Sequence, residues 1–147
     1  MAITQAIANS FKKQLLEGDH DFRQSGGDKF KLALYEDTAN LSAATTAYPG
    51  DSTGGQVGDT GQYAQGGGTL TGQATSLDTG VAIVDFADLS FTGVTLTARG
   101  ALIYNTSESN KAVAVLDFGG NKTATAGTFT IQFPDFNSTS AILRISG

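Results

Sequence analysis

The sequence predicts a mainly β protein: an antiparallel β-sandwich or jelly-roll-like barrel with one N-terminal α-helix and a long Gly/Thr-rich loop region. Three observations predict it. Apolar residues alternate with period two in several stretches, among them Phe30-Lys31-Leu32-Ala33-Leu34 and Thr128-Phe129-Thr130-Ile131-Gln132-Phe133. Turn signals return about every ten residues through the second half, the spacing of sandwiches and barrels. Strand-like segments do not alternate with helical ones, which argues against a doubly wound nucleotide-binding sheet.

The helix comes first. Ile3, Ile7, Phe11 and Leu15 recur every four residues, with Ala6 and Leu16 beside them. Thr4 is the expected N-cap and Gly18 the expected stop, so the helical segment falls within 1–18. Two readings stay open: a helix packed on its own sheet, or an arm that docks on a neighbouring subunit. A polar linker, His20 to Asp28, leads to a strand over Lys29–Tyr35 in which Phe30, Leu32 and Leu34 face inward and the lysines face water.

Residues 36–80 carry Pro49-Gly50, Gly54-Gly55 and Gly66-Gly67-Gly68 but few large apolar groups. A structureless stretch of this length is unusual in a compact domain, so short strands should interrupt it, Gly68–Gly72 being one. Leu41, Tyr48, Tyr63 and Leu70 are the expected pins, and the remainder should run over the surface, where loops carry contacts. Val81–Phe86 reads as a strand that Leu89-Ser90-Phe91 extends after a kink. Val94–Tyr104 alternates, and Gly100 within it signals a bulge or a close backbone approach. Asn105–Lys111 is a polar turn. Ala112–Phe118 is nearly all apolar, as in a central strand covered on both faces. Gly119-Gly120-Asn121-Lys122 reads as a turn, Pro134 ends the next strand, and Ala141–Ile145 closes the fold.

Composition narrows the function. The 147 residues suit a single domain, 1–147. The net charge is −5 and only 16% of residues are charged, against about a quarter in ordinary domains. The polar surface must come from Thr, Ser, Asn, Gln and Gly. An acidic chain whose only adjacent basic pair is Lys12-Lys13 is poorly suited to nucleic acid, which needs clustered cations. The absence of cysteine excludes disulfides and thiolate metal sites. No apolar run is long enough to span a bilayer, and residues 1–16 lack the continuous apolar core of a signal peptide.

The search for chemistry is short. His20 is the sole histidine and sits between Asp19 and Asp21, where a solvated linker residue is expected and consecutive ligands suit a metal poorly. No nucleophile motif or phosphate loop is present. Asp51, Asp59 and Asp78 lie among glycines and hydroxyl residues without the spacing of a calcium loop. Asp85 and Asp117 each precede a Phe inside an apolar strand. Paired carboxylates suit glycoside hydrolysis, but a structural pairing with Arg99 is the better fit, since Trp and an aromatic sugar cleft are missing. Four Asn-x-Ser/Thr triplets, at Asn40, Asn105, Asn121 and Asn137, reflect turn composition. No catalytic residue, cofactor or metal is expected.

Several stretches together resemble a family of small virion structural proteins of tailed bacteriophages. They are Asn9-Ser10-Phe11-Lys12 with Leu15-Leu16, Phe30 to Tyr35, Ala43 to Tyr48, Gly66 to Leu70, Thr97 to Asn105 and Ala112 to Gly119. The likeness spans almost the whole chain in order. It implies a β-sandwich subunit on the capsid exterior: a decoration (cement) protein, usually trimeric, that binds and ties together major capsid protein subunits. It implies no residue-level site. A tail, adaptor or head-fibre component, and a carbohydrate-binding attachment module, are the alternatives. The candidate contact residues are Ile7, Phe11 and Leu15 on the helix and Tyr48 and Tyr63 in the loop region, with neither nucleic acid nor membrane as partner.

Overall fold

A computed structural model describes residues 3–49 and 54–147. The chain is mainly β, with two antiparallel sheets and one α-helix. In order the elements are β1 (Ala6–Ile7), α1 (Asn9–Leu16), β2 (Phe30–Tyr35), β3 (Gly68–Thr69), β4 (Ala74–Asp78), β5 (Val81–Asp85), β6 (Leu89–Asn105), β7 (Lys111–Ile131) and β8 (Leu143–Ile145). One sheet has the order β1-β7-β6-β2-β3 and the other β4-β5-β8. Among the described residues β1 and β3 are the edges of the first sheet and β4 and β8 of the second, an arrangement consistent with a sandwich-like fold.

The long β6–β7 hairpin organises the larger sheet. A 3-10 turn at Thr106–Glu108 closes it, and the Asn105 side chain caps that turn by accepting the Ser107 N–H at 3.0 Å. Ala112 to Leu116 are all buried, flanked by β1 and β6, as an uninterrupted apolar run should be. Gly100 marks both a bulge and a close approach. The register shifts between Ala98 and Gly100, and a Cβ at Gly100 would strike the Leu116 carbonyl and lie 2.9 Å from Ile3 Cγ2.

The Gly119–Lys122 cluster is not a chain reversal. Gly100 pairs with Asp117 and Ala98 with Lys122, so β7 spends three more residues than β6 across this stretch and continues as one 21-residue strand. Gly119, at φ +80°, serves a wide bulge here instead of a hairpin.

The helix is shorter than its four-residue periodicity suggests. Ile3 bridges Leu41, and Ala6 and Ile7 pair with Val115 and Ala114 in β1. The Ala8 N–H donates to the Val113 carbonyl at 3.0 Å, and that of Asn9 to Ala43 at 2.8 Å. These tertiary hydrogen bonds hold residues 3–8 extended, Ala8 takes the N-cap position without a side-chain cap, and Thr4 caps nothing. The predicted stop is real. The Gly18 N–H reaches the Leu15 carbonyl at 3.2 Å and the Asp19 N–H reaches Gln14 at 3.0 Å, with Gly18 at φ +77°. This is a Schellman motif, and it turns the chain so that His20 comes back under the helix.

Two further expectations change. β2 has no solvated face: Ala33 and Tyr35 are buried and Lys31 half-buried. The loop region folds back along it, with Val57 N–H donating to Leu34 O at 3.1 Å, Leu70 N–H to Phe30 O at 2.9 Å, and Gly67 seated on the backbone of Leu32 and Ala33. Residues 86–88 are also more than a kink. They carry the chain from β5 in the small sheet to β6 in the large one.

Between the elements runs an aromatic chain. Phe22 stacks on Phe30 with centroids 4.4 Å apart, Phe86 meets Phe30 edge-on at 5.8 Å, and Phe133 meets Phe86 at 5.6 Å. Phe22 lies in the stretch that composition marks as a polar linker, and it is a core residue.

Candidate functional site

A concavity lies between α1 and the β4-β5-β8 sheet. It has a volume of about 600 Å³ and walls that include Ile7, Phe11, Leu15, Val84, Leu143 and Ile145. That size and apolar lining are typical of a binding site. Antiparallel register places Leu77, Ala82 and Ile145 directly opposite one another across the three strands, so their side chains share one face. Thr75, Val84 and Leu143 form the next row on that face. Leu143 belongs to the core, whereas Leu77 is 76% exposed and Ile145 59% exposed. Leu16, 91% exposed, extends the apolar surface from the helix side.

The candidate contact residues divide between this groove and the interior. Ile7 and Leu15 are half-buried on its wall. Phe11 also borders it, but is a core residue packed edge-on against Phe22 at 5.9 Å. Tyr63 is not a surface residue. It is buried, its hydroxyl accepts the Leu34 N–H at 2.8 Å, its ring packs on Phe91, and burial pushes its hydroxyl up to about 12. Tyr48 is half-buried, stacks on Tyr104 at 4.4 Å and donates to Gln56 Oε1 at 2.7 Å. Both tyrosines, with the buried Leu41, Val57 and Leu70, hold the loop region to the sheet.

His20 is likewise not a solvated linker residue. It is buried at the back of the groove, its ring 4.7 Å from Phe11. Nε2 lies 2.8 Å from Gln14 Oε1 and Nδ1 lies 2.9 Å from Asn105 Nδ2. The same Asn105 amide donates to Asp28 Oδ2 at 2.8 Å, and Lys111 pairs with Asp19 at 3.1 Å. Burial lowers the His20 pKa from its usual value, against the opposing pull of the Asp28 carboxylate. Nothing local in Asp19-His20-Asp21 signals this. Asn105, fully buried, closes its triplet to modification.

Asp117 pairs with the cation expected for it. Arg99 Nε donates to Asp117 Oδ1 at 3.1 Å, and the Gly119 N–H reaches the same oxygen at 2.9 Å. These bonds hold the Asp117 carboxyl below its ordinary range, the Gly119 N–H contributing most. Asp85 lies in the other sheet, opposite Ala74, and is not on the walls of the concavity that Asp117 borders. Asp59 accepts the Gln65 N–H and Asp78 the Ser138 N–H, at 2.7 and 2.6 Å. Asp51 and Gly50 fall outside the described residues. Among the described residues no group of three or more His, Asp or Glu could hold a metal ion, and no helix is long and apolar enough to cross a membrane.

No family model, no curated protein and no solved structure matches this chain.

Proposed function

We propose that this chain is a structural subunit of a tailed-phage particle without catalytic activity of its own, a decoration protein that binds the outer surface of the major capsid protein shell and stiffens it. The observation that carries the reading is the exposed apolar surface formed by Leu16 and Ile145 on the groove walls, with Leu77 in the same strand row as Ile145. Large apolar side chains gathered at one place on an otherwise Thr- and Gly-rich surface mark a surface that another protein covers. Burying them between subunits would add cohesion to a shell, and repetition over many copies would multiply a modest affinity. The resemblance to virion proteins supports the same role, with a homotrimer as the expected form.

The test is to purify the particles that carry the chain, measure its copy number against the major capsid protein, and locate its density. Copies in proportion to shell subunits, on the outside, are expected. A single ring's worth at a vertex or on the tail would reassign it to an adaptor or fibre. Leu16→Asp combined with Ile145→Asp should leave a folded subunit that no longer joins stripped shells. Undiminished joining would remove the groove from the interface.

A further inference from the structure

The buried histidine holds one end of the groove, and its hydrogen bonds determine its protonation state. The Asn105 Oδ1 is occupied by the Ser107 N–H, and its Nδ2 donates both to Asp28 Oδ2 and to His20 Nδ1. Turning the amide over would set its oxygen against the Asp28 carboxylate and its NH2 against the Ser107 N–H, so the amide cannot flip. His20 Nδ1 must therefore accept, and Nε2 must carry the hydrogen that goes to Gln14 Oε1. The site takes the neutral ring in one tautomer. A proton on Nδ1 would meet the Asn105 NH2 head-on, break that bond and leave a buried cation without an acceptor for that hydrogen.

The ring is also the mechanical link between three elements. It touches α1 through Phe11 and Gln14, the end of β6 through Asn105, and the 19–28 segment through its own backbone. The charged groups that face it are Asp28 and Asp19 from that segment and Lys111 from β7. The two carboxylates favour the imidazolium, while Lys111, already paired with Asp19, opposes it. Asp21, nearby, is engaged by Arg23. α1 forms one wall of the groove, and no side-chain cap secures its N-terminal end.

We propose that His20 is a pH-sensitive latch: neutral, it fastens α1 to the β6–β7 turn, and in mild acid it lets the helix and the 19–28 segment come away, opening the groove and exposing Phe11 and Phe22. The inference concerns the chain itself and stands whether or not the particle assignment does.

The experiment follows backbone hydrogen exchange and the NMR signals of the only histidine in the chain between about pH 7.5 and about pH 5. The expected results are an Nε2–H tautomer at the upper end and a several-fold loss of α1 protection, relative to β6 and β7, as the pH falls. His20→Gln offers an acceptor to Asn105 and a donor to Gln14 without a titrating group, so its α1 protection should stay flat. Asp28→Asn keeps the accepting oxygen and removes the negative charge that favours an imidazolium in the closed site, so α1 protection should be lost at the same or a higher pH than in the wild type. An Nδ1–H tautomer, a wild-type helix indifferent to pH, an equal response in His20→Gln, or loss of α1 protection only at lower pH in Asp28→Asn would each overturn the proposal. If His20→Gln does not fold, the tautomer and the Asp28→Asn shift decide it.

Discussion

Two glycines with nearly the same backbone conformation should differ sharply in what they tolerate. Gly18 ends α1 at φ +77° and Gly67 lies beside β3 at φ +88°. Alanine at either must adopt a left-handed conformation, at about 1–2 kcal/mol, offset by about 0.4–1 kcal/mol because the unfolded chain becomes less free. At Gly18 a Cβ meets nothing within 4 Å, so the net cost should stay near 1 kcal/mol, on the order of that strain alone. At Gly67 a Cβ would collide with the Leu32 carbonyl group and sit 2.8 Å from Ala33 Cα, both backbone of a central element. The only relief is separation of β3 from β2. That forfeits the Leu32–Gly68 and Lys31–Thr69 pairing, the Leu70-to-Phe30 hydrogen bond and the burial of Leu70. At about 0.5–1.5 kcal/mol for each hydrogen bond and about 1.5–3 kcal/mol for a buried leucine, Gly67→Ala should cost about 4 kcal/mol or more. Native domains hold about 5–15 kcal/mol, so this is a large share. In urea, with a slope of about 2 kcal/mol/M, the two variants' midpoints should differ by about 1.5 M. Coincident midpoints, or an undisturbed β2–β3 pairing in Gly67→Ala, would refute the reasoning.

Three other outcomes follow from the packing. Tyr104 donates to the Gly66 carbonyl at 2.5 Å inside the fold, so Tyr104→Phe should cost about 1–3 kcal/mol by denaturant titration while leaving the stack on Tyr48 intact. Phe11→Asp places a carboxylate in the core and should lower stability by about 3–5 kcal/mol or prevent folding, whereas Leu16→Asp, one turn on and exposed, should change the melting curve by no more than about 0.5 kcal/mol. Asp117→Asn weakens a partly exposed pair and should cost under about 1 kcal/mol at neutral pH. Because folding lowers this carboxyl's pKa, its contribution is present above about pH 4 and fades as acid protonates it, so wild-type and variant stabilities should converge in acid. Divergence there would show the sign to be wrong.

Much of the architecture was legible in the chain. Period-two alternation located β2, although both its faces are covered, and the inward Phe129, Ile131 and Phe133, because successive side chains of a strand point to opposite faces. Gly18 and Gly100 announced a stop and a bulge, since each needs a backbone or a clearance that other residues resist. The exposed apolar residues beside the groove were also visible as residues, but not as a row: Leu77, Ala82 and Ile145 are brought side by side only by strand pairing.

What the tertiary structure alone decided is of one kind. Local signals state what a segment can do, and long-range partners choose among the options. The Ile3–Leu15 periodicity permits a helix, yet N–H donation from Thr4, Ala8 and Asn9 to the carbonyls of Leu41, Val113 and Ala43 draws its first half into strand and bridge. The Gly119–Lys122 cluster permits a reversal, but β6 continues alongside and turns it into a bulge. His20 sits among aspartates in sequence and among Phe11, Gln14 and Asn105 in space, because the Schellman turn folds it back beneath the helix. Alternation and glycine needs are properties of a few consecutive residues and can be read from them. Burial, register and the protonation of a ring depend on partners that lie far along the chain, as Asn105 does from His20, and no window of sequence contains them.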